Sequence, residues 1–168
     1  AAGELKIKGL HNLQNALAAL ALGYAIDLPM ASMLQTLKAF TGLKHRSQLV
    51  AEINGVNWIN DSKATNVGAT IASLTGLAGK HVLIAGGIAK DADFSPLHDV
   101  VHEHCRAVVL LGRDADKIAA AMPDDIRVER CDDMQQAVAK ANELAQTGDN
   151  VILAPACASF DMFDNFEH

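Results

Sequence analysis

Three short, uninterrupted runs of apolar residues constrain the fold of this 168-residue chain more than any other feature. The runs span residues 81–85, 107–111 and 151–154, and the segments between them have the apolar spacing of amphipathic helices. A strand that is apolar at every position buries both of its faces, as happens when helices cover a parallel sheet on both sides. The chain is therefore predicted to be an α/β protein with a Rossmann-like, doubly wound, mostly parallel sheet.

Local signals predict the other elements around these strands. Asn54-Gly55 between the apolar segments 49–53 and 56–60 indicates a β-hairpin. Ser95-Pro96 and Asp114 are expected to cap the helices that follow them. The predicted helices span 66–77, 96–104, 115–121 and 132–146, and a further strand spans 126–130.

The first part of the chain has a different pattern, because it is predominantly helical. Alternating polar and apolar residues predict a short strand over 4–8, and two helices follow, the first from His11 to about Ile26. Thr41-Gly42 ends the second helix. We therefore expect residues 1–41 to be the helical remnant of one domain and residues 42–168 to be most of another.

Composition limits the classes of protein to which the chain can belong. A formal net charge of −6 and an isoelectric point near 5.5 argue against a nucleic-acid partner. No apolar run reaches the roughly 18 residues of a membrane span. Three widely spaced cysteines without a C-x-x-C pair favour a reduced, cytoplasmic setting. The first residue is not Met, and both ends are expected to be cut from a longer protein.

Polar clusters follow four of the predicted strands, each at the point where the strand ends. They span residues 61–66, 86–91, 112–114 and 155–161. The carboxyl ends of parallel strands meet at one edge of a sheet, where ligands bind. A single lysine there is typical of solvated surface, but Lys63, Thr65 and Lys90 together offer ammonium, hydroxyl and backbone N–H groups. We therefore expect a site for a carboxylate or a phosphate at this edge.

Other residues indicate chemistry less strongly. His98 and His102 are one helical turn apart and His104 is near, but no carboxylate or cysteine completes a set, so a solvated helix face is favoured and no metal ligands are predicted. Cys157 is either accessible in a site loop or, as is commoner for cysteine, buried. A nucleophilic Ser159 would need a base that the sequence does not place beside it.

Five segments of the chain carry a resemblance to a known family, and they span residues 9–15, 42–46, 60–66, 86–94 and 155–161. Together they resemble the Mur ligases, and in particular the branch of that family that adds D-glutamate to UDP-N-acetylmuramoyl-L-alanine. Asp-Ser-Lys-Ala-Thr-Asn at residues 61–66 is the most specific, because sister ligases and folylpolyglutamate synthase have a Tyr-Ala-His-Asn-Pro type of sequence there.

The resemblance implies a pocket for D-glutamate and one catalytic lysine. Lys63 would stabilise charge on an acyl phosphate and on the tetrahedral intermediate. Phe160 stands where leucine is usual in the family, which is a conservative departure. The residues implied to bind D-glutamate are Thr65, Lys90, Ser159, Phe160 and Phe166.

ATP contacts are implied at four further residues on both sides of the predicted domain boundary. The guanidinium of Arg46 suits a phosphate, and Asp61 would contact the ribose. Asn12 and Asn15 would contact adenine, although capping of the first helix is an alternative role for both. His45 would help to position this hinge, and domain closure would exclude water from the acyl phosphate.

Mur ligases have three domains, so the resemblance implies that this chain is the end of the central ATPase domain plus most of the C-terminal domain. The P-loop, the carbamylated lysine and the Mg²⁺ ligands would lie in the missing part, and the fragment alone is expected to be inactive. The alternatives are another Mur ligase, a folylpolyglutamate synthase-like ligase, or a stand-alone module that binds an amino acid or a nucleotide.

Overall fold

The computed structural model describes residues 2–7 and 9–164 of the chain. It divides the chain into two compact units, the first ending at Lys44 and the second beginning at His45. The assignment of residues 1–41 to an ATPase domain stays a prediction. Within the described residues, no helix has both the length and the apolar character that a bilayer crossing requires.

The first unit is helical. It contains a short 3₁₀ helix, Ala2–Glu4, followed by α1 (Leu10–Ala25) and α2 (Met30–Ala39). The predicted strand over 4–8 is wrong for residues 4–7, and Lys8 lies outside the described residues. A strand needs a neighbouring strand for its hydrogen bonds, and the described part of this unit contains none.

The second unit contains a six-stranded sheet in the order β1-β2-β6-β3-β4-β5. The predicted hairpin is confirmed: β1 and β2 are antiparallel, and Asn54 and Gly55 both have positive φ, at 54° and 75°. All other neighbouring strands are parallel. The strands are β1 (Gln48–Ile53), β2 (Val56–Asn60), β3 (His81–Gly86), β4 (Cys105–Leu111), β5 (Arg127–Arg130) and β6 (Asn150–Ala156).

In the described part of the second unit, four helices cover the two faces of the sheet. They are α3 (Val67–Thr75), α4 (Leu97–His104), α5 (Ala115–Ala119) and α6 (Met134–Leu144). In β3, Leu83 and Ala85 belong to the cluster with α3, α4 and α5, whereas Val82 and Ile84 belong to the cluster with α6. Alternate residues of one apolar run therefore fill two cores, which confirms the doubly wound α/β fold.

The two predicted helix caps are wrong in their side-chain role. Pro96 and Asp114 occupy the N-cap positions of α4 and α5, and neither helix has a side-chain cap bond. The Ser95 hydroxyl donates instead to Asp93 Oδ2 at 2.9 Å. Side-chain caps occur at Asn66 for α3 and at Asp133 for α6. A carboxylate or a hydroxyl binds the hydrogen-bonding partner that the fold places nearest to it. For the Asp114 carboxylate, that partner is an N–H group outside its own helix.

Candidate functional site

The predicted polar clusters meet at the carboxyl edge of the sheet. Ile88 and Ala158, in the loops after β3 and β6, exchange two backbone hydrogen bonds of 2.7 and 3.2 Å. The Ala156 N–H donates to the Ala64 carbonyl at 2.9 Å, which joins the loop after β2 to the same edge. The loops that carry Lys63, Thr65, Lys90 and Ser159 are therefore hydrogen-bonded to one another in a chain.

Glycines allow these loops to approach closely. A Cβ atom on Gly86 would collide with the Leu111 carbonyl, and one on Gly87 would collide with the Ala158 carbonyl. Both glycines also have positive φ, at 138° and 122°. The Gly86-Gly87 pair is thus explained by backbone contact between the loops after β3, β4 and β6.

Lys90 lies in a tight turn at this edge. Lys90 and Asp91 have φ of 47° and 60°, and the Ala92 N–H donates to the Ala89 carbonyl at 2.9 Å, as in a type I′ turn. Lys90 is exposed, and its Nζ lies 5.7 Å from the centroid of the Phe160 ring. That distance allows a cation–π contact between two predicted substrate residues.

Lys63 and Thr65 lie in the segment between β2 and α3. Both residues are exposed. The Thr65 N–H donates to the Lys63 carbonyl at 2.9 Å, and the Lys63 N–H donates to the His45 carbonyl at 3.2 Å. The segment leads directly into the N-terminus of α3, which Asn66 caps through the Ala69 N–H. The N-terminus of α3, where the helix dipole is positive, is therefore preceded by two exposed polar residues.

Asp61 and the segment after His45 are hydrogen-bonded to each other. The Asp61 carboxylate accepts from the Ser73 hydroxyl at 2.8 Å and from the Ser47 hydroxyl at 3.4 Å, both at Oδ2. His45 Nδ1 lies 3.3 Å from the Asn60 amide nitrogen. Arg46, between His45 and Ser47, is exposed. Asp61 and Ser47 are thus hydrogen-bonded in the second unit, and Arg46 directly precedes Ser47 in the chain.

The other predicted residues are distributed over both units. Asn12 and Asn15 are separated by one turn of α1 in the first unit. The N-cap of α1 is Gly9 without a side-chain cap bond, so the capping role considered for both asparagines is not found. The carbonyl of half-buried Ser159 accepts from Met162 and Phe163 N–H groups. Phe166 lies outside the described residues.

The cysteine and the histidines considered in the sequence are buried or bound to neighbouring carboxylates. Cys157 is buried, and burial, followed by the nearby Asp114 and Asp161 carboxylates, raises the pKa of its thiol to about 11. His98 contacts the Asp99 carboxylate and His102 contacts that of Asp125. Within the described ranges, no group of three or more His, Cys, Asp or Glu side chains has a metal-binding arrangement.

Two carboxylates have roles that the sequence did not indicate. Asp114 Oδ2 accepts from the Ala89 N–H at 2.8 Å, and Asp161 Oδ2 accepts from the Arg113 N–H at 2.8 Å. Each bond joins loops that follow different strands. Both residues lie in predicted polar clusters, but no spacing signal distinguishes a carboxylate that binds a distant N–H group from a solvated one.

Comparison with known proteins identifies the family. Residues 45–157 match the family described as Mur ligase, glutamate ligase domain. The chain is 58% identical over 168 residues to UDP-N-acetylmuramoylalanine--D-glutamate ligase of Pseudomonas savastanoi pv. phaseolicola, covering 98% of this chain and 38% of the relative. It is 55% identical to the protein of the same name from Nitrosococcus oceani, covering 99% of this chain and 37% of that one. The chain thus spans less than two fifths of these relatives.

Solved structures support the same fold. Mycobacterium tuberculosis folylpolyglutamate synthase complexed with ADP and AMPPCP superposes with a TM-score of 0.72 at 18% identity, covering 90% of this chain and 39% of that one. At this identity the likeness shows the fold alone. The family match extends over the second unit from its first residue to Cys157. The chain belongs to the Mur ligase family.

Proposed function

We propose that this chain is the C-terminal part of an ATP-dependent ligase that adds D-glutamate to UDP-N-acetylmuramoyl-L-alanine. The product would be a peptidoglycan precursor made in the cytoplasm. The observation that carries the proposal is the Ile88–Ala158 backbone pair, which places the loop of Lys90 beside that of Ser159 and Phe160. The two named relatives, which bear this activity in their names, support the choice of substrate.

The polar groups at this edge suit an amino acid with two carboxylates. D-Glutamate needs cations and hydroxyls from more than one direction, and Lys90, Thr65 and Ser159 come from three different loops. The Phe160 ring, 69% exposed, lies against Lys90 and would cover the carbon chain of the substrate. Phe166 completes the proposed set.

Lys63 is proposed as the catalytic residue. Lys63 lies in the segment that leads into α3, and its ammonium would stabilise negative charge that develops while the D-glutamate amine attacks an acyl phosphate. ATP would contact Arg46 and Asp61 in the second unit, and Asn12 and Asn15 on α1. The exposed guanidinium of Arg46 and the carboxylate of Asp61 fit a phosphate and a ribose hydroxyl respectively.

The triphosphate cradle and the Mg²⁺ ligands are assigned to the remainder of the longer protein. The sequence contains no G-x-x-x-x-G-K followed by Ser or Thr, which is the loop that cradles phosphates. The described residues of this chain also offer no cluster for a divalent cation. The complete reaction is therefore proposed for the longer protein, and this chain supplies the D-glutamate pocket and Lys63.

The proposal is tested on the full-length protein by ADP release in the presence of ATP and UDP-N-acetylmuramoyl-L-alanine. Release is expected to depend on D-glutamate. Lys63→Ala is expected to lower turnover by about 100-fold, because one charge-stabilising donor is lost. Binding of the UDP substrate, measured by titration calorimetry, is expected to stay unchanged.

Lys80→Ala is the matched control, because Lys80 precedes β3 at the opposite edge of the sheet and its ammonium contacts the Glu103 carbonyl. This variant is expected to retain wild-type turnover. Wild-type turnover in Lys63→Ala would contradict the role of Lys63, and ADP release indifferent to D-glutamate would contradict the proposed substrate.

A further inference from the structure

Asp114 occupies the N-cap position of α5, but its carboxylate is directed to a different loop. The helix receives no side-chain cap bond from it. Oδ2 accepts instead from the Ala89 N–H, 25 residues earlier in the chain, at 2.8 Å. The side chain therefore joins the loop after β4 to the loop that carries Lys90.

The backbone conformation of the turn that carries Lys90 has to be stabilised by contacts with other parts of the chain. Its two central residues, Lys90 and Asp91, both have left-handed φ, which a type I′ turn requires and which glycine or asparagine adopts more readily than lysine. The backbone conformation of Lys90 is thus unfavourable in isolation. It persists only where surrounding contacts determine it.

Asp114 is hydrogen-bonded to the backbone at the start of this turn at two points. Its own N–H donates to the Gly87 carbonyl at 3.0 Å, while its carboxylate accepts from the Ala89 N–H. Ala89 is the first residue of the turn and is 4% exposed. The Ala89 N–H and then the Lys117 ammonium, 3.0 Å from Oδ1, lower the pKa of the Asp114 carboxyl, so it is ionised at neutral pH.

The link through Asp114 closes a ring of three loops. Asp161, in the loop after β6, accepts from the Arg113 N–H beside Asp114. The loop after β6 is in turn joined to the loop after β3 by the Ile88–Ala158 pair. A Cβ atom on Gly112 would lie 2.7 Å from Asp161 Oδ2 and 2.8 Å from the Gly87 nitrogen, so the three loops are in close contact.

We propose that Asp114 is a positioning residue that sets the place of Lys90 for recognition of the substrate's carboxylate. Asp114 does not touch the substrate; it acts through the Ala89 N–H and the turn that follows. The inference rests on the proposed function for the identity of the substrate. The hold of Asp114 on the loop is independent of that identity.

The test compares variants of the full-length protein in steady-state kinetics. Asp114→Ala is expected to raise KM for D-glutamate about tenfold, with kcat changed less than about threefold and KM for ATP unchanged. Asp114→Asn keeps an oxygen acceptor for the Ala89 N–H and is expected to stay within about threefold of wild type. Lys90→Ala serves as the reference for loss of the ammonium itself and is expected to raise the same KM.

The matched control is Asp116→Ala on the same helix, since the side chain of Asp116 is 86% exposed and pairs with Arg130. It is expected to keep wild-type constants. If Asp114→Ala does not fold, Asp114→Glu replaces it, because the longer side chain keeps the charge but displaces the acceptor, and KM for D-glutamate is again expected to rise.

Backbone hydrogen exchange without any substrate gives the second readout. The amides of residues 88–92 are expected to exchange about tenfold faster in Asp114→Ala than in wild type or Asp114→Asn. An unchanged KM for D-glutamate would overturn the proposal, as would equal losses in kcat and in every KM for both the Ala and Asn variants. If the wild type does not use D-glutamate, the proposed function fails, and exchange at residues 88–92 alone decides whether Asp114 holds the loop.

Discussion

His81 is fully buried at the start of β3, and both of its ring nitrogens are engaged. Nε2 lies 2.9 Å from the Leu74 carbonyl and Nδ1 lies 3.1 Å from the Asn150 amide nitrogen. That amide nitrogen also donates to the Ala78 carbonyl, and the amide oxygen accepts from Asn57, which fixes the orientation of Asn150. The network therefore suits a neutral ring with its proton on Nε2.

Protonation of His81 would place an N–H group on Nδ1 against the N–H groups of the Asn150 amide. The free energy of unfolding is therefore expected to depend on pH. Burial lowers the pKa of His81 below 6.5; His104 adds to this, while the Leu74 carbonyl and Asp149 oppose it. The unfolded chain therefore binds a proton first as the pH falls. The free energy of unfolding is expected to fall below pH 6.5, by at most about 1.4 kcal/mol per pH unit.

Urea denaturation of the 168-residue chain between pH 7.5 and 5.5 measures this slope. His81→Gln is expected to remove most of it, and His98→Gln, at an exposed residue of α4, is expected to leave it. An undiminished slope in His81→Gln would exclude His81 as its source.

At the scale of elements, an ion pair joins strands that are not neighbours. Arg106 at the start of β4 donates to both carboxylate oxygens of Asp149, at 2.6 and 3.1 Å, and β3 lies between β4 and β6 in the sheet. Asp149 also accepts from the Gln146 N–H just before β6. The pair thus joins the start of β4 to the residue before β6, at the amino ends of the strands and opposite the candidate site.

Asp149→Ala is expected to lower the free energy of unfolding by about 2 kcal/mol. The Asp149 side chain is 5% exposed, so its loss leaves the Gln146 N–H and part of the Arg106 guanidinium without their acceptor, although Arg106 is 33% exposed and partly hydrated. Glu143→Ala removes an exposed, hydrated pair with Lys140 and is expected to leave the urea midpoint nearly unchanged. Equal urea midpoints for the two variants would contradict this ranking.

At the scale of the whole molecule, the proposed contacts are divided between two units. Asn12 and Asn15 belong to the first unit, and the other described site residues belong to the second. The chain covers 38% of the length of its Pseudomonas savastanoi relative. The loops that would bind D-glutamate are therefore present in the chain, whereas the complete reaction is proposed for a longer protein.

The 168-residue chain alone is expected to release no ADP when it is mixed with ATP, UDP-N-acetylmuramoyl-L-alanine and D-glutamate. The physical reason is that its sequence has no phosphate-cradling loop to orient a triphosphate. A coupled ADP assay measures this, with the full-length protein as the positive control. D-Glutamate-dependent ADP release by the short chain would contradict the proposed division of the reaction.

The sequence by itself determined the six strands of the sheet, the hairpin and the edge at which the polar clusters lie. An uninterrupted apolar run such as 81–85 must bury both faces, and Asn54-Gly55 adopts the positive φ that a tight hairpin needs, so both features follow from nearby residues. The resemblance in the polar segments also indicated the family correctly. The strand predicted from the alternation over 4–8 was wrong, because alternation indicates which face of a segment is apolar but does not indicate whether a partner strand is present.

Only the tertiary structure decided which polar groups bind one another. Asp114 looked like a helix cap, yet its carboxylate binds an N–H group 25 residues away, and Asp161 binds one 48 residues away. The position of β3 between β6 and β4 brings the loops that follow these three strands together. Local patterns specify the period and the apolar face of an element, whereas contacts between loops depend on the order of strands in the sheet, which no short segment encodes.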